Sequence, residues 1–191
     1  GWKNPRIKKG LKRTIELLLW GYLLRLNLPM LFNGQINNSF LYPDVLQIIG
    51  LSLSFIILIY LLFSFLKQWT SSIFLVIGLL IFLTQPYYID LTFPSLPPYI
   101  AAYLTKANKG VFYLFPWLGY VSIGAFIAYL FHATTRQLWS WGLGFMALGF
   151  WLVFCSSAFL IELESLTGMV LFRKVAYNNF LFIRLGDVFV L

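Results

Sequence analysis

VLQIIGLSLSFIILIYLLFSFL, residues 45–66, is a run of 22 residues without a charge, and after Lys67 a second uncharged run of 22 extends from Gln68 to Ile89. A helix rising about 1.5 Å per residue needs roughly 20 apolar residues to cross a hydrocarbon core about 30 Å thick. Each run is long enough. Between them Lys67, Gln68 and Trp69 place a cation and an indole where an interfacial turn accommodates both. The pair reads as a transmembrane hairpin, with spans at 45–66 and 69–89.

Working outward, two more apolar runs predict spans at 111–131 and 138–161, joined by the turn His132 to Gln137, with Trp139 and Trp141 opening the second. The segment 12–26 is shorter and carries Glu16 and Arg25, but its basic lead-in can snorkel to headgroups, and it reads as a first span. Residues 180–191 read as a truncated last span. The loop 90–110, with Pro94, Pro97 and Pro98, has room for a short interfacial helix around Ala101, Ala102 and Tyr103. The expectation is an all-α, polytopic transmembrane helix bundle of about five to six spans, forming a single membrane domain over 1–191. A start at Gly1 and an apolar segment cut at Leu191 read as the ends of a fragment. No small-residue cleavage site follows the first apolar stretch, so the basic start is not a signal peptide.

Composition agrees. Hydrophobic residues make up 60% of the 191 and charged ones 10%, against roughly half and a quarter in soluble domains. A net charge of +8 would suggest a nucleic-acid partner if it formed a patch. Instead, six of the fourteen basic residues (Lys3, Arg6, Lys8, Lys9, Lys12 and Arg13) precede the first apolar run. That is the flank expected on the cytoplasmic side of a membrane protein, and no nucleic-acid partner is implied. Lys67 and Arg136 fall on the same side, while Asp44, Asp90, Glu162 and Glu164 fall on the other, which places the loops 27–43 and 90–110 outside. Cys155 is the single cysteine, sits in an apolar run and reads as packing.

No phosphate-binding Gly-rich loop, no Cys or His cluster with metal spacing and no acidic dyad is present in the sequence. His132, the only histidine, lies at the turn beside Thr134, Thr135 and Arg136 and reads as solvated rather than catalytic. Asp44 and Gln47 stand three residues apart at the mouth of the second span, on one helix face. Helix capping explains Asp44, but an inward glutamine suggests a further role. Trp117, in the Pro116 to Gly124 segment that opens the fourth span, is either an interfacial anchor or part of a surface on which Gly119 and Gly124 let a long substrate approach the backbone. Gly142, Gly144, Ala147 and Gly149 suggest close helix packing. Arg184 has Asp187 as its expected partner, and an ion pair and a phosphate-binding role both fit it.

Three segments, Tyr42-Pro-Asp-Val-Leu-Gln-Ile-Ile-Gly-Leu-Ser, Leu96-Pro-Pro-Tyr-Ile-Ala-Ala-Tyr-Leu-Thr leading into Phe115-Pro-Trp-Leu-Gly-Tyr-Val-Ser-Ile-Gly, and Arg184-Leu-Gly, follow the basic lead-in Arg6 to Arg13. In order and spacing they resemble the bacterial relatives of heparan-α-glucosaminide N-acetyltransferase, within the multi-pass membrane acyltransferases. The resemblance covers nearly the whole chain. It implies an integral protein of the bacterial inner membrane that passes an acetyl or other acyl group from cytoplasmic acyl-CoA, its co-substrate, to a sugar or glycan acceptor outside. It also implies that the family's essential histidine precedes Gly1, so that no catalytic residue lies in this stretch. Asp44, Gln47 and Trp117 would then contact the acceptor or the pantetheine arm, and Arg136 and Arg184 the coenzyme phosphates. A transporter or flippase built around Gly and Pro breaks is the rival reading.

Overall fold

The computed structural model describes residues 5–35, 40–63, 65–66, 69–106, 112–133 and 138–191, with the backbone alone for 132–133 and 138–140. Among the described residues all regular structure is helical: α1 Pro5–Leu24, α2 Leu28–Phe32, α3 Val45–Leu62, α4 Thr70–Leu83, α5 Gln85–Tyr88, α6 Pro98–Leu104, α7 Leu114–Ala133, α8 Leu138–Thr167, α9 Val170–Tyr177 and α10 Phe180–Val190. Segments of α3, α7 and α8 (Val45–Leu62, Leu114–Phe131 and Trp141–Thr167) are long and apolar enough to cross a membrane. With α4 as a shorter apolar helix, they make this an all-α integral membrane protein.

Several boundaries differ from those read in the sequence. α1 begins at Pro5 rather than near Lys12, because lysine and arginine are good helix formers and proline is tolerated at a first helical position. The second half of the hairpin is broken at Thr84 into α4 and α5. There the Thr84 hydroxyl donates back to Leu80 O at 2.7 Å, just before Pro86, which has no N–H to offer. α8 runs on through Glu162 and Glu164 to Thr167. It stops at Gly168, whose φ of +69° is the left-handed conformation that closes helices. The polar connector beyond it contains α9, an amphipathic helix.

The chain divides into two compact units, Gly1–Thr70 with Ile89–Val121, and Ser71–Tyr88 with Ser122–Leu191. In the first unit α1 packs along α3. A Cβ built on Gly21 would lie 2.9 Å from Gln47 Cγ, one on Gly50 3.3 Å from Thr14 O and from Leu18 Cγ, and one on Gly10 2.9 Å from Ile57 Cδ1. Numbers fall along α1 as they rise along α3, so the helices are antiparallel. Glycines at the crossing points let two backbones approach where lipid offers no hydrophobic drive for helix association.

In the second unit α10 packs antiparallel on α8. Phe145 meets Phe189 at 5.2 Å between centroids, Gly149 faces Gly186, and Asn179 Nδ2 donates to Ser156 Oγ at 2.6 Å and Ser157 Oγ at 2.8 Å. α4 reaches the same helix through an edge-on contact of Phe82 with Phe182 at 5.3 Å. Of the small residues noted on α8, Gly149 makes the close approach, while positions 142 and 144 have open space where a Cβ would stand. α9 is fixed by a two-pronged contact of Arg173 with Glu164, at 2.8 and 2.7 Å, and by the Lys174 ammonium 5.0 Å from the Tyr87 ring centre.

Candidate functional site

A cluster of polar side chains forms where α1 ends and α3 begins. Asp44 is extended, with φ −126° and ψ 173°, and caps α3: its Oδ1 accepts from Val45 N at 2.8 Å. Gln47 Oε1 accepts the Asp44 N–H at 2.6 Å, completing a capping box. This corrects the view that capping leaves the glutamine unexplained, since the Asp-x-x-Gln spacing is itself the capping motif. One atom remains over. Gln47 packs its Cγ and Cδ toward Gly21, and its Nε2 is buried with no hydrogen-bond partner among the described residues.

Arg25, just past the end of α1, closes the arrangement from the other side. Its Nη1 donates to Tyr42 O at 2.7 Å, and its Nε stands 3.5 Å from Asp44 Oδ2. The guanidinium thus sits at the negative end of one helix dipole and the carboxylate at the positive end of another, which favours both charges. Both Asp44 oxygens are therefore engaged, Oδ1 by the helix and Oδ2 by Arg25. The Asp44 side chain is still 42% exposed, so its remaining lone pairs can accept from an incoming hydroxyl or amine.

One helical turn back along α1, Tyr22 hydrogen-bonds Tyr103 of α6, the two hydroxyl oxygens 2.8 Å apart, while its ring lies 5.5 Å from that of Phe40. This joins the 90–110 loop to the end of α1. Burial, and then the hydrogen bond to Tyr22, push the Tyr103 phenol above the ordinary tyrosine range, with Arg25 acting weakly the other way. A phenol held neutral is a dependable hydrogen-bond donor.

Of the residues singled out in the sequence, Asp44 and Gln47 are brought together here. Trp117 is at the first turns of α7, partly exposed, 6.0 Å from the Phe112 ring and 6.1 Å from the Tyr120 ring. Among the described residues no hydrogen bond, ion pair or ring contact joins it to Asp44. Arg184, in the second unit, pairs with Asp187 at 3.1 Å and lies 5.3 Å from the Phe180 ring. Arg136 lies outside the described residues. The sequence reading passed over Arg25, Tyr22 and Tyr103. Only Arg25 carried a signal, as a charge at the end of an apolar run; the tyrosines, 81 positions apart, carried none.

The family whose model matches this chain is described as heparan-alpha-glucosaminide N-acetyltransferase, catalytic, and the match covers residues 2–161, from α1 through most of α8. No curated protein and no solved structure matches.

Proposed function

Since the chain belongs to the heparan-alpha-glucosaminide N-acetyltransferase catalytic family, we propose that it works in a membrane-bound acyltransferase that moves an acetyl or other acyl group from cytoplasmic acyl-CoA to an extracytoplasmic sugar or glycan. The observation that carries this reading is the family match over residues 2–161. Helices long and apolar enough to cross a bilayer fit an enzyme that works across one. The basic start of α1 argues for a cytoplasmic N-terminal side, and hence for the Arg25, Asp44 and Tyr103 cluster at the outer side.

In the reaction a lone pair on an acceptor nitrogen or oxygen attacks the thioester carbonyl carbon, the carbon–sulfur bond breaks, and the proton lost by the acceptor is balanced by protonation of the departing coenzyme thiolate. Asp44, with its second oxygen steered by Arg25, is suited to orient an acceptor hydroxyl or amine rather than to remove a proton, since both its oxygens are already committed. Gln47 supports that geometry from behind. Trp117 offers an indole face to a sugar ring or to the pantetheine arm. Arg136 and Arg184 are the cations assigned to coenzyme phosphates, Arg184 exchanging Asp187 for a phosphate.

The test is transfer in proteoliposomes. Labelled acetyl-CoA is supplied on one face and amino-sugar and hexose acceptors on the other, and label on the acceptor is measured. Label should appear on an acceptor across the bilayer. Intact protein that labels no member of a wide acceptor panel would overturn the assignment.

A further inference from the structure

The contacts of α1 with α3 fix how deep each residue of α1 lies. A Cβ on Gly10 would stand 2.9 Å from Ile57 Cδ1, and one on Gly50 3.3 Å from Thr14 O. Lys12 and Arg13 fall between Gly10 and Thr14, so they lie level with the stretch of α3 between Gly50 and Ile57. That stretch is the middle of Val45–Leu62, a helix long and apolar enough to cross a membrane. Glu16 lies as deep, since a Cβ on Gly50 would also meet Leu18 Cγ at 3.3 Å and Leu17 Cβ at 3.4 Å. Cations that only set topology sit at the end of a span, but Lys12 and Arg13 sit level with the inside of one.

All three charged residues are exposed, and Lys12 Nζ stands 3.7 Å from Glu16 Oε1. Charged side chains at mid-bilayer depth face a protein interior or a water-filled cavity rather than lipid. The buried stripe of α1 is Ile7, Thr14 and Gly21, and at 100° per residue Lys8, Lys9, Lys12, Arg13 and Glu16 are turned away from it. From Pro5 to Glu16 this outward side is polar over about 16 Å of helix rise, roughly half the hydrocarbon core. Leu19 and Leu23 come next on the same side, with Trp20 and Leu24 beside them, all exposed. The outward face is thus polar from the N-terminal end of α1 to the middle of the bilayer and apolar beyond it.

We propose that this face lines a water-filled vestibule that opens at the basic end of α1, reaches the middle of the bilayer and ends at Leu19 and Leu23, and that it admits the phosphate-bearing part of coenzyme A. The vestibule rests on the depth of the charges; the identity of its occupant rests on the acyl-transfer reading. Lys8, Lys9, Lys12 and Arg13 form a ladder of cations along the helix axis, suited to several phosphates joined in one soluble molecule. Glu16, the one acid of α1, is the innermost charge, level with the uncharged pantetheine arm once the phosphates lie on the cations. A coenzyme seated this way brings its acyl group to mid-bilayer, which shortens the path to an acceptor on the far side.

The test uses the full chain in proteoliposomes, with the exposed Cys155 replaced by serine and one cysteine introduced on α1 by Lys12→Cys, Glu16→Cys, Leu19→Cys or Leu23→Cys. Arg13→Cys stands in for Lys12→Cys if that variant does not fold. A charged, membrane-impermeant thiol reagent is added on both faces and labelling is followed with time. Cysteines at 12 and 16 should label, and those at 19 and 23 should not. Saturating desulfo-coenzyme A, which has no thiol to consume the reagent, should slow labelling at position 12 by about tenfold or more, and inorganic phosphate should not. No labelling at 12, 13 and 16 places the face against lipid or protein and overturns the vestibule. Equal labelling at 19 and 23 overturns its closed end, and labelling that stops when phosphatidylglycerol replaces phosphatidylcholine gives the face to lipid headgroups. Labelling at 12 that ignores desulfo-coenzyme A, or that inorganic phosphate slows as strongly, overturns coenzyme A as the occupant. Accessibility is read without acyl transfer, so a chain that transfers acetyl but leaves position 12 unlabelled loses the vestibule and keeps the activity.

Discussion

Replacing Gly186 with alanine should weaken the fold far more than the same change at Gly144, although both glycines lie in apolar helices. A Cβ on Gly186 would stand 2.7 Å from Gly149 O, 2.8 Å from Val153 Cγ2 and 3.0 Å from Leu152 Cβ. Ordinary contact begins near 3.4 Å, so the new methyl falls about 0.7 Å short of it against the carbonyl oxygen. That oxygen belongs to the hydrogen-bond ladder of α8 and cannot swing away as a side chain would, so the helices themselves must part. Overpacking of this kind costs about 1–3 kcal/mol. Alanine also gains up to about 1 kcal/mol over glycine in helix propensity, but Gly144→Ala makes the same gain into open space, so the difference between the two variants isolates the clash. That difference should be about 1–3 kcal/mol in reversible unfolding in micelles. The mirror substitution Gly149→Ala meets Gly186 O at 2.8 Å, and the double variant should cost less than the two singles added, because one separation of the helices admits both methyls. A Gly186→Ala protein as stable as Gly144→Ala would refute the backbone-to-backbone contact of α8 and α10.

At the candidate site, Asp44→Ala removes the cap of α3 and the counter-charge of Arg25 and should cost about 1–2 kcal/mol of stability. Asp44→Asn keeps the cap, so it should stay close to the parent in stability while raising KM for the acceptor several-fold; activity and stability falling together in the asparagine variant would reduce Asp44 to a cap. Burial holds the Tyr103 phenol neutral. Its contribution should therefore be full below about pH 10 and decline as pH rises past that value, where the unfolded chain gives up its proton first. Absorbance titration should show a late-ionising component that includes Tyr103 beside Tyr113, which burial also pushes up, and Tyr22→Phe, which removes the second cause of the Tyr103 shift, should bring Tyr103 part of the way back. Asn179→Ala deletes the two hydrogen bonds to Ser156 and Ser157 and should destabilise by about 1–3 kcal/mol. An unchanged unfolding midpoint would count against that buried amide as the link from α8 to the start of α10.

What was legible in the sequence follows what bilayer physics dictates. Uncharged runs longer than a span have little choice but to become helices in lipid, and α3, α7 and α8 are where such runs stand. Helix ends were harder. The basic stretch 6–13 read as a flank, but lysine and arginine continue a helix as readily as leucine does, and α1 starts at Pro5. The stop of α8 depended on one glycine, Gly168, whose positive φ outweighed the two glutamates that had seemed to mark the boundary. At the candidate site Asp44 and Gln47 were visible as a pair, and their capping geometry was written in their spacing. The residues that join them to the rest of the cluster were not. Arg25 reaches Tyr42 across 17 positions and Tyr22 reaches Tyr103 across 81, contacts that arise only once α1 has folded back along α3.

That dependence bears on how Gln47 should be judged. Its Oε1 completes the capping box, its Cγ lies close to Gly21, and its Nε2 is buried without a partner among the described residues. If capping were its whole role, glutamate could also accept the Asp44 N–H and would leave no buried donor unmatched, at the cost of a second carboxylate beside Asp44. A glutamine keeps a donor facing the α1–α3 seam and brings no extra charge beside Asp44. Gln47→Glu separates the two roles. A residue that only caps should lose some stability to the buried carboxylate beside Asp44 but keep acyl transfer per folded molecule near that of the parent. A donor needed by a bound substrate should lose acyl transfer by about tenfold while the helix stays capped, since one such hydrogen bond is worth about 0.5–1.5 kcal/mol. Circular dichroism and transfer assays on the same preparation would decide between them. Full activity with glutamate would confine Gln47 to the architecture of α3.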